Sequence, residues 1–208
     1  VATVLGWITG DNWNAADRAY LVGRALSALL DTLTVAVVYL IGSRAFTTRV
    51  GLFAALFAAL APMSIQLAHF FTTDSWLTFF VATTLYFSIR AAETGAGRWF
   101  AASGAGLGLA MATKGSVFAL AGLIGAAILY DVWRRWQPEP SLAGALFAVP
   151  RQVGIAAISA LVGFALFEPF ALVRPGIFLQ SLQTQTAIVS GTFDIPFTRV
   201  FVGTTPVV

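Results

Sequence analysis

Pro62-Met-Ser-Ile-Gln-Leu-Ala-His-Phe-Phe-Thr-Thr-Asp-Ser-Trp76 lies across the junction of two apolar runs, Val50 to Leu67 and Ser75 to Ile89. It carries the only histidine, His69, and an acid, Asp74. Both runs approach the roughly 20 residues that an α-helix needs to cross a bilayer. Asp74 is therefore expected at one face of a membrane. Ionisable groups at such depth cost about 2.5 kcal/mol or more on insertion scales, and a chain that keeps them generally uses them.

The composition agrees with that reading. Of 208 residues, 58% are hydrophobic and only 10% are charged, and the mean hydropathy is +0.84. Soluble domains are near one-quarter charged, so the expected class is an all-α polytopic membrane protein. Cysteine is absent, which excludes disulfides and thiolate metal sites. The net charge of +3 is small and the arginines stand singly or in one pair between apolar segments. That pattern suits loops beside lipid headgroups and excludes a nucleic-acid stripe. No charged leader with a short apolar core opens the chain, and residues are expected upstream of Val1.

About six transmembrane or re-entrant helices are predicted, within a helical region 1–173 followed by an external loop segment 174–208. Val1 to Ala19 reads as an interfacial loop, and Tyr20 to Ile41 as the first span. Inside that span Arg24 and Asp31 are seven apart, on one helical face, and read as a mutually satisfied polar stripe. Pro62 is expected to kink or end the second span, and Arg90 to Arg98 reads as a turn. Trp99 to Tyr130 is too long for one crossing and breaks at Thr113-Lys-Gly-Ser116, giving a pair of short, re-entrant-like limbs. Gly104, Gly106 and Gly108 would permit close helix packing. Asp131 to Ser141 reads as a loop, Leu142 to Pro150 as a partial amphipathic helix, and Val153 to Phe167 as the last span.

Alternating crossings gather Arg44, Arg49, Arg90, Arg98, Arg134, Arg135 and Arg151 on one side, which the positive-inside rule makes the cytoplasm. His69, Asp74, Lys114, Glu168, Arg174 and Arg199 then share the external face with Asp11, Asp17 and Asp194. Asp74 reads either as a helix N-cap or as an orienting group or divalent-cation ligand beside a sugar phosphate. His69 reads as a packing residue, a metal ligand or a phosphate contact. Lys114, the only lysine, either snorkels to headgroups or meets a phosphate. Glu168 is a loop cap or an acid/base group. No serine-histidine-acid triad, zinc helix or phosphate loop is present.

Several stretches in order carry a family resemblance. These are Arg24-Ala-Leu-Ser-Ala-Leu-Leu-Asp-Thr-Leu-Thr-Val35, Val50-Gly-Leu-Phe-Ala-Ala-Leu56, Pro62, and His69-Phe-Phe-Thr-Thr-Asp74. Gly106-Leu-Gly-Leu-Ala-Met-Ala-Thr-Lys114 and Gly191-Thr-Phe-Asp-Ile-Pro-Phe-Thr-Arg199 complete the set. Together they resemble the bacterial polyprenyl-phosphate-sugar-dependent glycosyltransferases of the C-type superfamily, among them protein O-mannosyltransferases and the lipid A aminoarabinose transferase. The resemblance implies a multi-pass enzyme of the inner membrane with its site on the external face and a lipid-phosphate sugar as donor. It implies a role for Asp74 in orienting the acceptor or a divalent cation, and for Lys114 in meeting the lipid phosphate. His69, Arg174 and Arg199 are expected to help bind the substrate. The family's base, an acid in the loop before the first span seen here, has no counterpart in Asp11 or Asp17, which do not match its motif. The competing expectation is a non-catalytic membrane subunit, a truncated transferase fold serving as a scaffold for other membrane proteins.

Overall fold

The computed structural model describes residues 16–136 and 142–189. They divide between two units, Val1–Phe167 and Glu168–Val208. Every regular element described is helical. The first unit holds α1 (Ala16–Ala45), α2 (Thr48–Ala59), α3 (Pro62–His69), α4 (Thr73–Thr94), α5 (Gly97–Thr113), a 3₁₀ turn at Gly115–Leu120, α6 (Ala121–Trp136) and α7 (Leu142–Phe167). The second holds α8 (Pro169–Val173) and α9 (Pro175–Val189), so part of the stretch expected to be loop is helical. Proline at the first position of both helices is compatible with that, because its missing N–H is one the helix start leaves unpaired anyway.

Three stretches are long and apolar enough to cross a membrane: Tyr20–Ala45, Gly115–Trp136 and Phe147–Phe167. The pair α2–α3, bent by 52°, makes a fourth when taken as one broken span. The predicted break at Pro62 is there, with the proline opening α3. The break at Lys114 is there too, but the limb after it is 22 residues long, enough for a full crossing. Between these helices pack α4, whose apolar run is diluted by Thr78, Thr83, Thr84 and Ser88, and α5, only 17 residues long.

Four expected boundaries move, the first at α1, which runs from Ala16 to Ala45 and so takes in the end of the stretch expected to be an interfacial loop. Helix α4 runs on through Thr94 and stops at Gly95, whose φ of 65° is the left-handed C-terminal stop that glycine adopts without strain. Asp131 is not in a loop: α6 continues to Trp136, because the carboxylate finds partners inside the bundle. Leu142 to Phe167 is one helix with Pro150 inside it. An exposed position and a single lost backbone bond let the proline stay.

The centre of the unit is α5. Phe100, Ser103, Gly104, Gly106, Leu107, Gly108 and Ala110 are buried along it. Gly104 and Gly108 face α7, where an added methyl group would strike the backbone of Ala156 and Ala160. Gly106 faces the other way, and there the methyl group would meet Thr84 of α4. Lipid offers no hydrophobic drive for helices to associate, so close approach of this kind and buried hydrogen bonds must supply it. On the α4 side Ser88 and Ser103 share a hydroxyl hydrogen bond of 2.7 Å, and Ser103 donates to the Thr84 carbonyl at 3.3 Å.

Charge closes one end. Arg44 on α1 donates to Glu93 on α4 at 2.7 Å, and Arg90 lies 3.6 Å from the same carboxylate. Asp131 is wholly buried and accepts from Arg135 at 2.8 Å, Arg134 at 3.1 Å and Gln152 of α7 at 2.7 Å. Arg135 also reaches the Gly95 carbonyl at 3.5 Å. The ends of α1, α4 and α6 and the turn of α7 around Gln152 therefore share one level.

Three outcomes follow for melting in detergent. Gly108→Ala should destabilise by about 1–3 kcal/mol through forced separation of α5 from α7. Gly154→Ala, with open space at its Cβ, should be neutral or stabilising by up to about 1 kcal/mol. Asp131→Ala should cost about 3 kcal/mol, the low end for a broken buried pair because both guanidiniums reach solvent. Equal melting of the two glycine variants would remove the packing argument.

Candidate functional site

The described residues show their charge unevenly matched along the bundle axis. Every ion pair among them involves Glu93 or Asp131, at the arginine end. At the opposite end Arg24, His69, Asp74 and Lys114, and midway along α1 Asp31, have no ionic partner among the described residues. Chain direction places them there: α1 starts at that end, α4 begins there, and α5 finishes there.

A cleft of about 370 Å³ opens between α1 and α3. Arg24, Ala25, Ala28, Asp31 and Thr32 form one wall, and Ile65, Ala68 and His69 the other. The alanines leave room, and the break at Pro62 turns α3 away from the line of α2. Arg24 and Asp31 do share a face, as their spacing predicts, but they do not satisfy each other. Among the described residues no hydrogen bond or ion pair joins them, and Arg24 lies 5.7 Å from the centre of the Tyr20 ring. Two helical turns separate the two heads, about 10 Å along the axis, too far for contact without bending both side chains.

His69 is the last residue of α3 and is exposed. Its Nδ1 lies 2.8 Å from the Ile65 carbonyl. A carbonyl only accepts, so Nδ1 carries the proton and donates, and Nε2 is the nitrogen left for a ligand.

Asp74 sits in the first turn of α4, half-buried. It is not the N-cap; Thr72 holds that position, without a side-chain capping bond. The carboxylate is near the positive end of the helix dipole. On either side the hydroxyls of Thr72 and Ser75 are buried without a hydrogen-bond partner. Asp74 does not line the cleft of His69.

Lys114 stands exposed at the break between α5 and the 3₁₀ turn. Its backbone N–H closes α5 on the Ala110 carbonyl at 3.0 Å, and its own carbonyl accepts from Val117 at 3.2 Å. The extended backbone of the residue, φ −155° and ψ 111°, directs the chain out of the helix. Its ammonium has no acid beside it among the described residues. Helix α4 packs on both α1 and α5 and so separates the cleft from Lys114.

Of the other predicted residues, Arg174 is exposed at the junction of α8 and α9, in the second unit. Glu168 occupies the N-cap position of α8 without a side-chain capping bond. Arg199 lies outside the described residues, as do Asp11 and Asp194. No group of three or more His, Cys, Asp and Glu that could hold a metal converges among the described residues. His69 and Asp74 alone supply two donors, fewer than the three or four protein ligands of a zinc site. The sequence pattern located Arg24 and Asp31 but paired them. The cue to the cleft beside them was the proline two turns before His69, which breaks the facing helix.

In comparisons with known proteins, the family described as dolichyl-phosphate-mannose-protein mannosyltransferase matches residues 15–150. That range holds the cleft, Asp74 and Lys114. No curated relative and no solved structure matches the chain.

Proposed function

Because the chain belongs to the dolichyl-phosphate-mannose-protein mannosyltransferase family, a family of membrane glycosyltransferases, we propose that it transfers a sugar from a polyprenyl-phosphate carrier to an acceptor hydroxyl at the external membrane face. One observation carries this reading. The end of the bundle opposite the paired arginines gathers ionisable groups that have no ionic partner among the described residues. Keeping such groups near a membrane is costly unless water or a ligand meets them.

In the reaction the acceptor oxygen bonds to the anomeric carbon, and the bond from that carbon to the carrier phosphate breaks. The acceptor proton goes to a base, which the family resemblance places in the loop before α1. Polyprenyl phosphate leaves with the electron pair. Negative charge thus grows on the phosphate, and a cation held there lowers the barrier. Lys114 takes that role in this reading. Its ammonium is a compact charge on a flexible stem, suited to a phosphate at the membrane surface. Asp74 orients the acceptor by accepting a hydrogen bond from it.

The arginine excess of the other end supports an inner-membrane enzyme with those arginines in the cytoplasm. Lipid surrounds the apolar helices, and the sugar carrier is the partner the chemistry calls for.

Substituting Lys114 by Ala and Asp74 by Asn in the full-length protein should each reduce transfer from a polyprenyl-phosphate sugar by about 100-fold or more, the scale of losing one preorganised charged contact. Transfer at the unaltered rate in both would take these residues out of the mechanism. The orientation has its own check. An amine reagent that cannot cross the membrane should label Lys114, located by peptide mapping, in intact cells. Labelling only after the membrane is opened would place the site on the wrong face.

A further inference from the structure

We propose that the cleft between α1 and α3 is a carbohydrate subsite in which Asp31 and His69 hold sugar hydroxyls. The inference rests on the transferase reading and deepens it. A pyranose presents hydroxyls around its rim and weakly polar C–H faces. The cleft offers the matching surface. The Asp31 carboxylate accepts only, and it has no partner among the described residues. Nε2 of His69 is freed by the bond from Nδ1 to the Ile65 carbonyl, 2.8 Å away. The Arg24 guanidinium donates only. Between the polar heads, Ala25, Ala28 and Ala68 form an apolar floor. At about 370 Å³ the space falls within the range of small-ligand pockets, roughly 300–1,000 Å³.

Other chemistry fits less well. A phosphate alone would meet Asp31 and be repelled. A divalent ion would find one carboxylate, one imidazole and a neighbouring guanidinium of its own sign. An apolar chain would leave a carboxylate and a guanidinium unpaired against it. A sugar satisfies all three heads, because a hydroxyl both donates and accepts. Thr32 adds little, since its hydroxyl already donates to the Ala28 carbonyl at 2.8 Å.

The sugar has two sources, the donor or a glycosylated acceptor, and one experiment separates them. The full-length protein in detergent is titrated with mannosyl-phosphoryl-polyprenol, with bare polyprenyl phosphate, and with methyl α-mannoside. Each titration is run for the wild type and for Asp31→Asn, Asp31→Glu and His69→Ala, and each variant is melted to establish folding. For a donor subsite, Asp31→Asn weakens binding of the mannosylated carrier about 10-fold, or 1.4 kcal/mol, and leaves the bare carrier unchanged. Asp31→Glu recovers part of the loss. For an acceptor subsite, both carriers bind as before and the KM for a glycosylated acceptor rises about 10-fold. Equal loss for both carriers, or no change in any binding or KM, overturns the proposal. If Asp31→Asn fails to fold, His69→Ala carries the same comparison. A wild type that binds neither carrier refutes the transferase reading instead. The cleft then stands or falls on methyl α-mannoside, whose binding must drop in the Asp31 and His69 variants.

Discussion

Backbone contact along α5 is the constraint on which the helical unit depends. In lipid, burial of leucine or phenylalanine gains nothing, since the tails are equally apolar, and helices hold together by fit and by hydrogen bonds. Gly104 and Gly108, one turn apart, bring α5 against the backbone of α7 at Ala156 and Ala160, while Gly106 admits Thr84 from α4. One short helix is thus gripped on two faces. Its length then fixes the geometry at both ends. It starts beside the buried Asp131 cluster and finishes at Lys114, so the one lysine is delivered to the far end by packing in the middle.

The cost of stranding a charge sorts the remaining residues. At the arginine end two carboxylates are shared among four guanidiniums and one buried amide, and the helices that carry them are tied at one level. A wholly buried carboxylate is tolerated there because three donors surround it. The opposite end follows another rule. Its ionisable groups are exposed or half-buried, and they face a cleft, a helix start and a helix break. A group left in that state keeps its capacity to bind something else. The two ends differ in how their charges are met: at one they tie helices together, and at the other they have no ionic partner among the described residues.

The sequence made the helical class legible, and both breaks as well, because Pro62 removes a backbone donor and Lys114-Gly-Ser interrupts an apolar run. The glycines of α5 were legible as packing residues; that they serve two faces was not, because three alternate positions alone do not say which helices lie beside them. Asp131 reads as a loop residue from sequence alone, yet it is helical. An acid beside two arginines resembles a solvated turn until Gln152, twenty-one positions later in the chain, is brought to it. Pro150 was read as a boundary for an equally local reason. Arg24 and Asp31 were placed on the correct face but joined to each other, since spacing on a cylinder gives direction and not the reach of side chains. Asp74 does stand at a helix start, two residues after the cap that Thr72 occupies. Long-range partners account for most of these differences.

The cleft illustrates how a local defect opens space between two helices. Near the arginine end α1 and α2 touch closely, with Gly51 against the Tyr39 carbonyl and the Ser43 backbone, and Gly42 against Gly51. A straight helix continuing from that contact would run beside α1 and cover Arg24 and Asp31 with apolar side chains. Two unpaired charges would then be sealed in lipid-like surroundings, at a cost of several kcal/mol. Pro62 cannot continue α2, and the chain turns by 52° before α3 begins. The turn lifts Ile65 and Ala68 away, brings His69 to the rim, and leaves the charges facing a space of their own. The glycine contact and the proline break act together: the first anchors the two helices, and the second decides where they part.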